Sequence, residues 1–593
     1  MSFLPIFSRW KRDNMANGWK LVTQVWVMTL LVMNITEIPG QVLSPTRSTD
    51  WSKAGMSSEV IYPGMEVNIL DFGADPEGLV SSSPAFAAAQ AFLQGPGILY
   101  IPPGTYRFTQ PILLQDSQVV RGSGAAATEL IFNLGGTGDL IEMVGSRINT
   151  PDTLMASAEI GDSFVVVSDP NQYQTGDLLK LYKDDQDLVN DSWAYNTVAQ
   201  ILRIVGKSAD SLLLDQVLRT DFPLLRNPAV NKLVPKSHAG VECLKITRLD
   251  ATTGQSKNIY IKYAIDCWVK GVESSFCNFG HVTIESSSHI EVSGSYFHDA
   301  FNYGGGGKAY GIVLQSSANL CLLEDNILKH LRHSILLQSG ANANVIAFNY
   351  SFDPFWDNFP NNSAGDLVCH GNYPFLNLFE HNIVQNLVID NSHGANGPFN
   401  TFFRNRAELY GIIMTATNSP SQNFIGNEIT NNGLFLGNYN LMGVDHFEFG
   451  NNHLGTITPP GTGNLPDTSY FYMNQPDFLY GPWSLIGPPE VLNTTSIPAR
   501  DRFLSSGMQT VCSQTPAWVV WTNGAGTINW NDPLNWHSNS VPTTEDNVFI
   551  PASPTEGTMF PIVNVNTTIN QIYIASGGRV ETAPGVELFV QAE

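Results

Sequence analysis

Residues 320–455 repeat a short pattern in which apolar positions precede a turn that ends in asparagine. The asparagines are Asn326, Asn349, Asn382, Asn405, Asn427 and Asn451, and successive spacings are 23, 33, 23, 22 and 24 residues. Apolar residues such as Ile346, Phe379, Phe402 and Phe424 lie three positions before these asparagines. A period in the low twenties predicts a solenoid of stacked coils with one continuous apolar core and a buried ladder of asparagine amides. The 33-residue interval predicts a loop insertion, SFDPFWDNFPNNSAG.

The segment before this repeat contains one short helix pattern followed by strands. Ser83 suits an N-cap and Pro84 a first helical position, so a helix is predicted over Ala85–Leu93. A Gly-Pro-Gly turn, the strand ILYI and a Pro-Pro-Gly-Thr turn follow. The pieces DFGAD, GILYIPPGTY and VVRGSG, with the Ala-rich helix, resemble the amino-terminal segment of the pectate-lyase-like superfamily, in its rhamnogalacturonase/epimerase-like branch.

That resemblance implies an all-β fold, a right-handed parallel β-helix whose short helix covers the open amino-terminal end of the core. Members of the family usually carry an Asp pair ahead of the helix, where this chain has Ser81, Ser82 and Ser83. Because lyases, hydrolases, epimerases and phage tailspikes share these motifs, the resemblance predicts a fold and leaves the activity open.

Composition and local pattern predict the remaining organisation. Basic residues ahead of the apolar run Leu21–Met33 predict a signal peptide or signal anchor over residues 1–44. A linker is predicted over 45–65, the β-helix over 66–490 with a small β insertion at 157–235, and a β-rich module over 515–593. The Trp/Asn pattern of this last module resembles modules at the carboxyl ends of secreted Bacteroidetes proteins. Its tryptophans, Trp518, Trp521, Trp530 and Trp536, could stack on sugars, although a core role is favoured.

The charge balance narrows the choice of partner. The net charge is −23 and only 14% of residues are charged, which argues against nucleic acid and against any membrane contact beyond an amino-terminal anchor. The signal segment and the two resemblances imply a secreted or cell-surface bacterial protein, monomeric or trimeric, with a polysaccharide as its partner. The six cysteines have no framework spacing and are expected to be buried small residues, although a Cys267–Cys277 pair stays possible.

Two histidines mark the candidate chemistry. His370 and His393 each lie 12 residues before a coil asparagine and each precedes a glycine, which predicts equivalent positions on adjacent coils, about 4.8 Å apart. Two imidazoles so close resist double protonation, so at least one is expected to be neutral and able to act as a base. A purely structural polar ladder is the alternative.

The predicted catalytic set is His370, His393, Asp390, Arg404 and Tyr303. The predicted substrate-binding set is Lys308, Tyr310, Trp356, Asp357, Asp366, Arg406 and Glu408. Arg404 could equally be a structural cap, and Arg406 could form a ladder salt bridge with Glu428, which follows its own coil asparagine. No metal ligands are assigned.

Three functions fit these residues. A polysaccharide lyase needs a base, a cation for the uronate carboxylate and an acid for the leaving oxygen; His370 or His393, Arg404 or Lys308, and Tyr303 could supply them. Calcium held by Asp366 or Asp390 is an alternative cation, and no cofactor is otherwise predicted. A glycoside hydrolase needs two suitably spaced carboxyls, which no single ladder position provides. A non-catalytic glycan-binding solenoid or adhesin is the third. The lyase is favoured slightly over the hydrolase.

Overall fold

A computed structural model describes the chain from residue 41 onward, with gaps. The described residues are 41–57, 65–355, 365–476, 478–479, 483, 485–489, 495–505, 509–514, 519–536, 540–544, 546–550, 554, 557–574 and 578–591. The predicted signal segment up to residue 40 and the predicted site residues Trp356 and Asp357 lie outside them. Within the described residues, no helix has the length and apolar character needed to cross a membrane.

The centre of the molecule is a parallel β-helix, as predicted. Each coil contributes short strands to successive ladders, and each strand pairs in parallel with its counterparts on neighbouring coils. The first ladder consists of Glu66–Asn68, Gly97–Tyr100, Gln118–Arg121, Gly240–Glu242, Trp268–Lys270, Glu291–Ser293, Leu322–Glu324, Val345–Ala347, Leu378–Glu380, Thr401–Phe403, Asn423–Ile425 and Phe447–Phe449.

Two further ladders complete the wall of the coil. The second consists of Gly104–Phe108, Thr128–Phe132, Lys245–Arg248, Glu273–Cys277, Tyr296–Ala300, Ile327–Lys329, Tyr350–Phe352, Ile383–Ile389, Arg406–Met414, Glu428–Ile429 and Asn451–His453. The third consists of Ile112–Leu113, Ile141–Val144, Lys257–Lys262, Gly280–Glu285, Tyr310–Gln315, His333–Leu337, Leu367–Cys369 and Asn438–Asn440. Ile383–Ile389 and Arg406–Met414 are long enough to join both.

The coil period and the asparagine ladder agree with the sequence pattern. In the first ladder Leu322 pairs with Val345 and Val345 with Leu378, steps of 23 and 33 residues. Each coil asparagine donates from its side-chain amide to the next, for example Asn382 Nδ2 to Asn405 Oδ1 at 2.8 Å. Inside the coil, Phe379 stacks on Phe402 at 4.8 Å between ring centroids. Apolar stacking and amide pairing therefore follow the same repeat.

A helix closes the amino-terminal end of the core. It spans Ser83–Leu93, and Phe86, Ala89 and Leu93 join the interior cluster of the coils. Phe86 lies against Phe108 in an edge-to-face contact of 5.9 Å. The second described α-helix is Pro498–Ser505. The described 3₁₀ helices are Pro45–Arg47, Trp51–Lys53, Ile69–Phe72, Pro170–Gln172, Ser192–Ala194, Leu224–Arg226, Val511–Gln514 and Pro533–Asn535.

An antiparallel sheet interrupts the coils in the region where the sequence predicts an insertion. Its strands are Ser146–Arg147, Asp152–Thr153, Phe164–Val166, Leu178–Tyr182, Gln200–Lys207, Ser211–Leu214 and Ala229–Val234. The sheet has its own apolar core, including Leu179, Leu202 and Phe222. Short pairings outside the main ladders join Lys236–Ser237 to Ala264–Ile265, and Thr456–Thr458 antiparallel to Asn451–His453.

Segments from both ends of the chain cover the outside of the first ladder. Leu43 and Trp51 are buried there, and the Trp51 indole donates to the Leu376 carbonyl at 2.7 Å. The predicted linker is therefore packed structure at its described start. Cys243 and Cys512 form a disulfide, so the prediction that all cysteines are isolated buried residues was wrong for these two. Cys267, Cys277, Cys321 and Cys369 are free and buried.

The carboxyl-terminal region is a small parallel β structure. Val519–Val520, Asn547–Ile550 and Gln571–Ile574 form one sheet; Ile562–Val563 pairs with Glu581–Thr582, and Thr567–Ile569 with Leu588–Val590. Trp521, Trp530 and Trp536 are almost fully buried in its core. Their rings therefore pack the module and do not form a sugar-stacking surface, while Trp518 lies outside the described residues.

Candidate active site

A histidine and an aspartate meet at the carboxyl ends of two neighbouring strands in the third ladder. Cys369 pairs in register with Ile389, so the residues that follow, His370 and Asp390, lie side by side on adjacent coils. His370 Nδ1 donates to Asp390 Oδ2 at 2.6 Å, and the Ser392 backbone amide donates to Asp390 Oδ1 at 3.0 Å. When His370 is neutral, this bond places its proton on Nδ1 and leaves the Nε2 lone pair free to act as a base.

His393 contacts the His370–Asp390 pair, but it does not occupy the predicted ladder position next to His370. The ring centroids of His370 and His393 are 5.0 Å apart, at an interplanar angle of 77°. His393 nevertheless lies in the turn beyond Asp390, so Asp390, not His393, is the neighbour of His370 in the ladder. The step from Cys369 to Ile389 is only 20 residues, shorter than the step between coil asparagines, and counting back from the asparagines therefore misaligned this face.

The glycine after each histidine permits close backbone approach. Gly371 has φ +81°, and a Cβ there would lie 2.5 Å from the carbonyl carbon of His393. Gly394 has φ +80°, and a Cβ there would lie 2.8 Å from the Cβ of Asn190. Only glycine fits both the left-handed backbone and these contacts. Gly371 thus allows the coil to contact the turn that contains His393, and Gly394 allows that turn to contact the insertion.

The insertion supplies a second carboxylate that sequence reasoning missed. His393 Nδ1 donates to Asp191 Oδ2 at 2.8 Å, across 202 residues of chain. Asn372 Nδ2 also donates to Asp191 Oδ2, at 3.0 Å, and Asn372 Oδ1 accepts the Asn190 amide at 2.7 Å. The only sequence signal was an aspartate beside an aromatic residue, DSW, within the insertion. The site therefore contains two His–Asp pairs.

A third imidazole extends the row. The His333 ring centroid lies 5.1 Å from that of His370 and 5.1 Å from that of Tyr310. His333 Nδ1 donates to the Gly365 carbonyl at 3.2 Å, and its buried Nε2 has no hydrogen-bond partner among the described residues. Burial first, and the nearby His370 second, hold the pKa of His333 well below its usual value. His333 is therefore a neutral acceptor.

Arg332 places a cation at the end of the row. Its Nη1 donates to the Tyr310 hydroxyl at 3.3 Å, and burial raises the pKa of that hydroxyl. Arg332 is partly buried, and no carboxylate of the described residues pairs with it. In an acidic protein, such an arginine at the end of a row of imidazoles is suited to an anionic group of a ligand.

Both carboxylates of the site stay ionised. Burial alone would raise the pKa of Asp390, but the charge and hydrogen bond of His370 outweigh it and lower the pKa. Burial would also raise the pKa of Asp191, but hydrogen bonds from Asn372 and His393 outweigh burial and lower this pKa. These aspartates therefore orient and stabilise imidazolium ions and are poor proton donors.

Arg404 is a structural residue, contrary to its predicted catalytic role. Its side chain is fully buried. The guanidinium donates to the backbone carbonyls of Asp467, Leu465, Ile486 and Pro488 at 2.7–3.0 Å. It lies at the corner between the first and second ladders, away from the His370 corner, and ties the covering segment to the coil.

Arg406 and Glu408 also pair structurally. Arg406 Nε lies 2.8 Å from Glu428 Oε2, both side chains are buried, and the two residues are in register on adjacent coils. The ladder salt bridge left open above is therefore present, and it occupies the Arg406 guanidinium that was predicted to bind substrate. Glu408 pairs with Arg500 at 2.8 Å.

The remaining predicted residues are divided between the row of rings and the turns that precede the third ladder. Tyr310 belongs to the site, whereas Tyr303 stacks on Phe355 at 4.4 Å and contacts His330, at the turn between the second and third ladders. Burial raises the pKa of Tyr303 to about 12. Lys308 is half-buried in the loop between them.

Asp366 lies inside the coil. It is fully buried and accepts hydrogen bonds from the Gln385 amide at 2.6 Å and from Ser334 Oγ at 3.3 Å. Burial raises its pKa to about 6. Among the described residues, no group of three or more His, Cys, Asp or Glu side chains is arranged to hold a metal ion. Asp366 and Asp390, the carboxyls proposed for calcium, are engaged as described above.

Comparisons with known proteins agree with the architecture. Residues 66–212 match the family model described as rhamnogalacturonase A/epimerase, pectate lyase-like. Together with the stacked parallel coils, this match confirms the resemblance of the chain to the pectate-lyase-like superfamily. No curated protein matches the chain.

Solved structures that resemble the chain share little sequence with it. The tailspike gp61 of Pseudomonas phage phi297 has 11% identity and a TM-score of 0.47, covering 66% of this chain and 76% of its own. The tailspike gp49 of Pseudomonas phage LKA1 has 13% identity and a TM-score of 0.45, covering 89% and 78%. The A-module of the mannuronan C-5 epimerase AlgE6 of Azotobacter vinelandii has 12% identity and a TM-score of 0.31, covering 87% and 99%. None of these comparisons supports the Bacteroidetes resemblance of the carboxyl-terminal module.

Proposed function

We propose that this protein is an extracellular enzyme that cleaves a uronate-containing polysaccharide by β-elimination. One observation carries the proposal: two His–Asp pairs, with imidazole centroids 5.0 Å apart, lie in one row with an arginine that has no carboxylate partner among the described residues. A base, an acid and a carboxylate-binding cation are the groups that β-elimination requires.

Each residue of the row has a role in this reaction. His370 Nε2 removes the proton from the carbon next to the uronate carboxylate, and Asp390 stabilises the imidazolium that forms. Arg332 binds a carboxylate of the polymer at the end of the row, and its positive charge favours the negative charge that develops at the reacting unit. The electron pair of the broken C–H bond forms the carbon–carbon double bond as the glycosidic C–O bond breaks. Protonated His393, held by Asp191, gives its proton to the departing oxygen.

The hydrolase alternative fits this row less well. A glycosidase needs one carboxyl group whose pKa is raised so that it is protonated at working pH. The pKa values of Asp390 and Asp191 are both lowered, and their imidazole partners occupy them. A purely glycan-binding solenoid would have no need of paired, oriented imidazoles.

The test is product analysis with the full-length chain. Polygalacturonate, alginate and glucuronan are incubated with the protein, a neutral β-glucan serves as control, and unsaturated uronate is followed by its ultraviolet absorbance. We expect absorbance only with an acidic polymer. His370→Gln should lower kcat/KM at least 100-fold because it removes the base. Asp390→Asn should lower kcat/KM by a smaller factor because it removes only the carboxylate that orients the base.

A matched control comes from another His–Asp pair. His298 Nδ1 lies 2.8 Å from Asp299 Oδ2 on the second-ladder strand Tyr296–Ala300, so His298→Gln removes the same kind of pair outside the row and should leave kcat/KM unchanged. New reducing ends without unsaturated product would instead indicate a hydrolase. Binding of an acidic polymer without any new ends would indicate a non-catalytic protein.

A further inference from the structure

The insertion carries an exposed tryptophan next to the row of histidines. Trp193 belongs to the 3₁₀ helix Ser192–Ala194 and has 51% of its surface exposed. Its ring centroid lies 5.5 Å from that of His393, at an interplanar angle of 85°. A perpendicular contact of this kind occupies at most one face of the indole, so a broad apolar face stays open beside the proposed proton donor.

The backbone around Trp193 is fixed onto the coils. Asp191 and Asn190 are held by Asn372, as described above, and Val189, Ala194 and Val198 pack against Phe375 and Leu376 of the coil. Thr197 accepts from Ser317 Oγ through its carbonyl at 2.7 Å. The indole is therefore exposed on a rigid base, which lowers the entropy cost of using it as a binding surface.

We propose that Trp193 is the platform for the sugar ring adjacent to the uronate that His370 deprotonates, so that the insertion forms one subsite of the binding groove. This rests on the proposed function. Arg332 and Trp193 lie at opposite ends of the row Tyr310, His333, His370 and His393. A carboxylate of the polymer binds at the arginine end, and the apolar face of the pyranose next to the deprotonated uronate stacks on the indole at the other.

The first experiment separates binding from chemistry. Trp193→Ala should raise KM for the acidic polymer about tenfold while kcat changes less than threefold, and Trp193→Phe should restore most of the loss, because a flat ring still stacks. Tyr195→Ala is the control, since Tyr195 is an exposed aromatic residue of the same segment with 38% of its surface open. It should leave both parameters unchanged.

A binding measurement keeps the inference distinct from the proposed reaction. Uronate tetrasaccharides are titrated calorimetrically into His370→Gln protein with and without Trp193→Ala, after thermal melting shows that both variants fold. A tenfold weaker Kd in the double variant supports the subsite even if the wild-type protein forms no unsaturated product. Equal Kd values, or a Trp193→Ala effect on kcat alone, overturn it. Failure of every uronate tetrasaccharide to bind the His370→Gln protein also overturns it.

Discussion

At the scale of single residues, hydrogen-bond partners give chemically identical side chains different roles. His333 is enclosed and kept neutral, with its Nδ1 proton given to a carbonyl. His370 and His393 each have a carboxylate on Nδ1, which stabilises a positive charge when one forms. The same contrast separates Arg332, partly buried and without a carboxylate partner among the described residues, from Arg404, whose donors all meet carbonyls.

The buried ion pair of Arg406 and Glu428 gives a prediction at this scale. Arg406→Met leaves the Glu428 carboxylate buried without its cation, so the free energy of unfolding should fall by about 3–5 kcal/mol. Urea denaturation followed by circular dichroism measures it. The double variant Arg406→Met/Glu428→Gln should recover a large part of the loss. If the single variant is as stable as the wild type, the pair is not a determinant of stability.

Sequence alone located some of these residues and misjudged others for identifiable reasons. His370, His393 and Asp390 were found because they recur near one point of the repeat. Arg404 was misjudged because a position one residue before a coil asparagine does not reveal that a later segment, at Leu465–Pro488, covers it. Arg332 was missed because its significance depends on the lack of a carboxylate partner, which only three-dimensional contacts disclose.

At the scale of elements, the asparagine ladder links coils that otherwise share only short strands. Asn405 Oδ1 accepts from both the side-chain amide and the backbone amide of Asn382, and its own Nδ2 donates to Asn427 and to the Phe379 carbonyl. All of these groups are buried. Loss of one ladder member therefore leaves donors and acceptors on two neighbouring coils without partners.

Asn405→Ala tests the ladder. It should lower the free energy of unfolding by about 3 kcal/mol or more, since each unsatisfied buried group costs about 1–3 kcal/mol. Asn440→Ala is the comparison, because Asn440 is exposed on the last coil of the third ladder; its effect should stay within about 0.5 kcal/mol. Chemical denaturation of the two variants under identical conditions provides the measurement. Similar losses for both would contradict a special role for the ladder.

The elements themselves were largely predictable, and their mutual placement was not. Hydrophobic periodicity fixes a coil because each repeat buries the same positions, so spacing alone gave the first ladder. The insertion could be recognised only as a break in that period. Nothing in its local pattern indicates that Asp191 contacts His393 or that Trp193 lies beside it, because those contacts join segments about 200 residues apart.

At the scale of the whole molecule, the late part of the chain is tied back to an early coil. The disulfide joins Cys243 to Cys512 across 269 residues. Described residues that follow the last coil cover the first ladder, where Leu465, Leu479, Ile486 and Ile497 join Leu43 and Trp51 in one apolar cluster. The covering residues and the disulfide thus both lie against the outer face of the first ladder.

Removal of the disulfide should loosen this cover. Cys243→Ser/Cys512→Ser is expected to lower the free energy of unfolding by about 3–5 kcal/mol, because the long loop no longer restricts the unfolded chain. Thermal and denaturant unfolding with and without reductant measure the effect. Reductant should bring the wild-type midpoint to that of the double variant and leave the double variant unchanged. A reductant effect of equal size on both proteins would show that the bond is not responsible.

The carboxylate that holds His393 comes from a segment made long before the histidine itself. At typical rates of synthesis, the 202 residues between Asp191 and His393 take roughly 10–40 seconds to emerge from the ribosome. Until then the insertion can fold, since its strands pair with one another, but its aspartate has no imidazole to hold. The nascent chain therefore gains its complete row of proton-transfer groups only when the coil that contains His393 packs against the insertion that was synthesised earlier.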